Sequence, residues 1–145
     1  MMHINLAAGT LLIAATVVIH TVGLITLSRL VNFFGSHFGL SRATLGRSAA
    51  MITVVLGLFL VHTVEVWTWA LAYLAIGAID NMADALYFST VTFSTVGYGD
   101  VVLASEWRLF SSLEGINGFM LIGWSTAFLV AASTRHGPFN AGEHF

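Results

Sequence analysis

Apolar residues fall in three long blocks, and polar residues crowd between them. The first block runs from Leu6 to Leu27. Its roughly 22 residues make about 33 Å of helix, which matches a hydrocarbon core about 30 Å thick. The second, Ser48 to Ile79, has about 32 residues and exceeds what a span needs. It has to tilt, run into the interface or bend near Gly77. The third runs from Leu109 to Ala132. Between the last two, Asp80 or Asn81 can cap a helix over 82–93, which is too short to cross a bilayer. The stretch after it, Ser94 to Ser105, is rich in Gly and polar residues. Its backbone groups would lose their partners in lipid, so it has to be buried in protein or line water. A short helix and a Gly-rich loop between two spans predict a re-entrant loop.

Composition sharpens this picture. The chain is 57% hydrophobic and 8% charged, against about a quarter charged in soluble domains, so lipid is its main solvent. A net charge of -2 without a basic run gives nucleic acid no purchase. There is no cysteine, which excludes disulfides and thiolate chemistry. The block at 6–27 lacks a preceding Lys or Arg and outruns an ordinary signal sequence, so it reads as a retained span. Trp67, Trp69 and Tyr73 suit a membrane–water boundary. Arg29, Arg42 and Arg47, three of the five basic residues, lie in the polar stretch 28–47. The positive-inside rule places that stretch in the cytoplasm, and Arg135 agrees. The amino terminus and the re-entrant loop then lie outside, with Arg108 as an exception.

The loop reads Thr95-Val96-Gly97-Tyr98-Gly99-Asp100. This string resembles the selectivity filter of potassium channels, in which rings of backbone carbonyls replace an ion's hydration shell. The resemblance covers roughly 48–132, the family's pore domain, and leaves the first span outside it. It implies an outer helix at 48–79, a pore helix at 82–93, a filter at 95–100 and an inner helix at 107–132. Residues 1–47 would be an additional span with a cytoplasmic loop, and 133–145 a short cytoplasmic tail. The implied fold is an all-α membrane protein: three transmembrane helices, a pore helix and a filter loop per subunit, in a four-fold tetramer. By similarity, potassium ions bind at the carbonyls of Thr95, Val96, Gly97 and Tyr98. Gly97 and Gly99 sit where carbonyls can all face one way only if the backbone takes angles glycine adopts cheaply. Val96 and Tyr98 are expected to pack behind the filter.

The sequence departs from the simplest bacterial channels. There a Trp and a Glu of the pore helix bond the filter Asp. Phe88 and Val91 stand at those positions here, so Asp100 needs another partner or water. No segment carries Arg or Lys at every third position, so voltage sensing is not expected. A ligand-binding domain beyond the inner helix is not expected either.

Ionisable residues inside spans require a reason. His62 and Glu65 share a helix face. They read either as a proton-sensitive latch or as a pair tying the outer helix to its neighbours. Glu114 and Asn117, three residues apart, either brace the filter from behind or face the pore. Gly118 is a gating hinge or a site of close helix contact. Phe119, Ile122, Thr126 and Val130 recur at helical spacing as cavity-lining candidates. The first span should pack outside the outer helix. His20 stands alone in it; with His62 it could form a haem or metal pair, the basis of a membrane redox alternative. His3, His37, His136 and His144 read as solvated.

The expected function is passive potassium conduction by a homotetramer in lipid, at a plasma membrane such as a bacterial inner membrane. No enzymatic step, cofactor or soluble partner is expected. A weakly selective monovalent cation channel and a non-conducting accessory subunit are the alternatives.

Overall fold

A computed structural model of the chain describes residues 2–37 and 44–136. Among these residues there is no strand. The helices are α1 (Met2–His37), α2 (Thr44–Ala75), α3 (Met82–Phe93) and α4 (Arg108–His136). A 3-10 turn, Ser105–Trp107, leads into α4. α1, α2 and α4 are each long and apolar enough to cross a membrane. α3, with 12 residues, is not.

Several bounds differ from the sequence reading. The polar stretch after Leu27 is helical through His37, so α1 reaches 36 residues. The reason is a stripe at helical spacing: Leu24, Leu27 and Val31 are buried against Val54, Leu58 and Ala132. Ser28, Arg29 and Leu30 lie on the open side. Arg42 and His144 lie outside the described residues, as does the tail from 137. α2 starts at Thr44 rather than 48 and stops at Ala75 rather than 79. Its stop is a left-handed Gly77, φ 69°. The Gly77 amide donates to the Leu74 carbonyl at 3.1 Å, and the Ala78 amide to that of Tyr73 at 2.9 Å. This pairing closes the free carbonyls of a helix end and turns the chain back. Asn81, not Asp80, then caps α3: its side chain accepts from the Asp84 amide at 2.9 Å and donates to the Asp84 carboxylate at 2.7 Å.

α1 lies against both α2 and α4, not merely outside α2. Asn117 of α4 donates to the Thr16 hydroxyl of α1 at 2.8 Å. Asn5 donates to the Glu106 carbonyl. Each bond removes a polar group from lipid.

The main core sits where α2, α3 and α4 meet. Tyr73 stands edge-on to Phe88 (5.1 Å, 90°) and to Phe110 (5.5 Å, 83°). Trp69 packs on Phe110 at 5.3 Å. Trp69 and Tyr73 are fully buried, so their rings face protein rather than a lipid boundary. Trp67, at 44% exposed, keeps an outward face. The closest crossing is α4 on the end of α3. A Cβ at Gly118 would stand 2.0 Å from the Phe93 carbonyl oxygen. α4 runs unbroken through Gly118, so in this structure the glycine serves contact and not a bend.

Gly118→Ala should force α3 and α4 apart and cost about 1–3 kcal/mol. Gly123, with nothing within 4 Å of its would-be Cβ, is the control; alanine there should be neutral or slightly stabilising. Thermal unfolding of the two variants in detergent checks the contrast.

Candidate functional site

α3 delivers the chain into the loop. Its last turn is closed by the Ser94 amide on the Thr90 carbonyl (3.1 Å) and the Thr95 amide on that of Thr92 (3.0 Å). The Gly97 amide reaches back to the Val91 carbonyl at 3.0 Å. From there φ is positive at every second residue: 62° at Thr95, 52° at Gly97 and 78° at Gly99. Among the described residues Thr95 is the one non-glycine in that region, where a β-branched side chain is strained. The residues from Thr95 to Asp100 are all exposed. Val96 is 53% and Tyr98 73% exposed, so their own chain does not supply the expected packing behind the filter.

Asp100 has a partner that the sequence reading missed. The Tyr87 hydroxyl donates to its carboxylate at 2.6 Å, and its other oxygen accepts from the Val101 amide at 3.1 Å. Phe88 itself turns into the core. The role has moved one residue along α3, from an apolar position to a phenol. The Tyr87 bond is the main reason that the Asp100 carboxyl is held below the usual carboxylate range. The same bond raises the phenol of Tyr87.

Behind the loop, Glu114 is fully buried. It accepts from Tyr73 of α2 at 2.5 Å and from Ser89 of α3 at 2.5 Å. Ser89 Oγ also lies 2.9 Å from the Val66 carbonyl. One carboxyl group of α4 therefore ties α3 to both flanking spans. Tyr73 and Ser89 were not predicted; a buried acid implies donors, but not which ones. Asn117, grouped with Glu114 on sequence, turns instead to α1.

His62 and Glu65 do not stop at pairing with each other. Glu65 Oε2 is 2.8 Å from His62 Nδ1, and Glu65 Oε1 is 2.9 Å from His20 Nδ1. His62 Nε2 lies 2.9 Å from Ser125 Oγ on α4. His20 is thus not alone in α1: it joins a cluster spanning three helices. The two imidazoles converge on one carboxylate with ring centroids 5.5 Å apart, which leaves no slot for a porphyrin between them. Phe119, Ile122, Thr126 and Val130 are exposed along α4. A cavity of about 640 Å³ opens between α2, α3 and α4, with His62, Thr90, Phe93, Ile122 and Thr126 on its walls. His3 is exposed. The side chains of His37 and His136 lie outside the described residues.

Residues 60–135 match the family model described as ion channel. The chain belongs to the potassium-channel pore-domain family. The match spans the second half of α2, the loop and nearly all of α4, and leaves α1 outside. Over 70 residues the chain is 36% identical to the intermediate conductance calcium-activated potassium channel protein 4 of Rattus norvegicus. That stretch is 48% of the chain and 16% of the relative. The chain therefore corresponds to a small part of that relative's length. No solved structure matches it. Family and spans together make it a multi-pass membrane protein.

Two outcomes test the supports. The Asp100 carboxyl is lowered in the folded protein, so its bond to Tyr87 contributes above the ordinary carboxylate range and is lost as pH falls through the lowered value. Tyr87→Phe should return the Asp100 midpoint upward, read by carboxyl-carbon NMR; an unmoved midpoint denies the bond. Glu114→Ala strips two donors of a buried partner and should cost about 2–4 kcal/mol in thermal unfolding, while alanine at exposed Glu106 should move it by less than about 0.5 kcal/mol.

Proposed function

We propose that four copies of this chain enclose a central pore that conducts potassium ions passively. The backbone carbonyls of Thr95, Val96, Gly97 and Tyr98, with the Thr95 hydroxyl, stand in for the ions' water. The observation that carries this reading is positive φ at residues 95, 97 and 99 within a Thr-Val-Gly-Tyr-Gly-Asp string. Ordinary extended backbone turns successive residues to opposite sides. A left-handed residue at every second position counters that turn, and the carbonyls share one side.

Three further observations support it. The carbonyl end of α3, the negative end of its dipole, leads into the loop and favours a cation near it. Val96 and Tyr98 leave an uncovered apolar and aromatic face, which other copies of the loop would cover. The exposed row of Phe119, Ile122, Thr126 and Val130 would line the path below. Gly99 and Asp100 complete the outer mouth, with Asp100 oriented by Tyr87. The rat relative, by its name a potassium channel, agrees with this ion.

The positive-inside rule orients the assembly in a plasma membrane. Arg29, Arg47 and Arg135 lie on the cytoplasmic side, and the filter and amino terminus face outward. No bond-making step is part of this function, and no cofactor is needed for it.

Purified protein in liposomes should pass potassium and exclude sodium. Gly97→Ala should bring potassium flux to background, because a methyl group opposes the left-handed backbone. Unchanged potassium selectivity in that variant would overturn the filter assignment. Equal potassium and sodium flux in the unaltered protein would favour a weakly selective pore. No flux at all would favour an accessory subunit.

A further inference from the structure

We propose that His20, His62 and Glu65 form a binding site for a divalent transition-metal ion of the zinc type, set between α1 and α2 at membrane depth. The site goes beyond ion conduction and does not depend on it. Its three donor atoms lie within 4.8 Å of one another. Each imidazole presents Nδ1 to a different oxygen of the one carboxylate, at 2.9 Å and 2.8 Å. Zinc bonds to nitrogen and carboxylate oxygen are about 2.0–2.2 Å, which puts neighbouring ligands about 3.3 Å apart in a tetrahedron. The imidazole–carboxylate distances lie a few tenths of an ångström below that value, and side-chain rotation that draws the donor atoms, all within 4.8 Å of one another, together would close the set around an ion. Two histidines and one glutamate are also a known zinc ligand set that leaves one coordination position free.

The surroundings point the same way. A histidine that binds metal through one nitrogen holds the other on a polar partner. His62 does so, with Nε2 2.9 Å from Ser125 Oγ. His20 and Glu65 are fully buried; His20 Nε2, unlike that of His62, has no such partner, so the outer support is built on the His62 side. Buried charged groups are paired or coordinate metals. Two histidines converge on this one carboxyl from different spans, one more than a simple pair needs. Access runs through the cavity whose wall includes His62 and Ser125.

Co2+ added to the purified full-length chain is the test, because four-coordinate Co2+ absorbs visibly. We expect one Co2+ per chain, displaced by Zn2+. Binding should weaken more than about tenfold in His20→Ala and in His62→Ala, and about tenfold in Ser125→Ala, which alters only the outer partner. If the histidine variants fail to fold by gel filtration, Glu65→Gln and Ser125→Ala decide, and wild-type affinity in both overturns the site. Absence of the band in the unaltered protein also overturns it, as does a band that survives loss of both histidines. Potassium flux that varies with pH while no metal binds would assign the cluster to protons and overturn it as well.

Discussion

A carboxylate without water has to be shared among donors, and Glu114 is shared between a phenol of α2 and a hydroxyl of α3. That sharing fixes where α3 can lie. A short helix that does not cross the membrane has little apolar surface of its own to hold it at depth. Its placement comes from Ser89 on one side and from the Tyr73–Phe88 ring contact on the other. Once α3 is placed, the direction of its carbonyl end is placed too, and so is the start of the loop. The bonds that close this last turn, from Ser94, Thr95 and Gly97, then set the backbone that follows. A change at Glu114 would therefore reach the loop without touching it.

The polar groups inside the bundle follow the same rule on a larger scale. Asn117 and Thr16, His20 and Glu65, and His62 and Ser125 each join different helices. In lipid these bonds add to close packing as a source of helix association, because tails are as apolar as leucine. They explain how a first span outside the family match is nevertheless bound tightly to the pore region. Its contacts run to α4 as well as α2, so it is attached to the helix that would line the pore.

Much of this was legible in the sequence, and the reasons are local. Hydropathy blocks marked three spans, because a span is a property of consecutive residues. The Thr-Val-Gly-Tyr-Gly-Asp string marked the loop, because its chemistry is carried by the backbone of adjacent residues. Gly77 marked a bend. What the local reading lost was set by distance. Tyr87 meets Asp100 because the loop doubles back over the helix, and no spacing rule shows that. His20 meets Glu65 across 45 positions, through the packing of two spans. The extension of α1 to His37 was in principle readable. Leu24, Leu27 and Val31 keep helical spacing, but Ser28 and Arg29 open a polar stretch that reads as a loop. Trp69 and Tyr73 were misplaced for a related reason: aromatic rings suit both a lipid boundary and a core, and only their neighbours decide.

The Gly118 crossing has a mechanical consequence. α4 is gripped within little more than one turn, by Glu114, Asn117 and the bare backbone at 118 against the Phe93 carbonyl. A rigid rod gripped at one point is a lever, and that point is its fulcrum. A sideways swing of the long arm beyond 118 has to be answered by an opposite swing of the short arm or by a push on the end of α3. Movement at the far end of this helix would thus arrive at the base of the loop as a small displacement with large force.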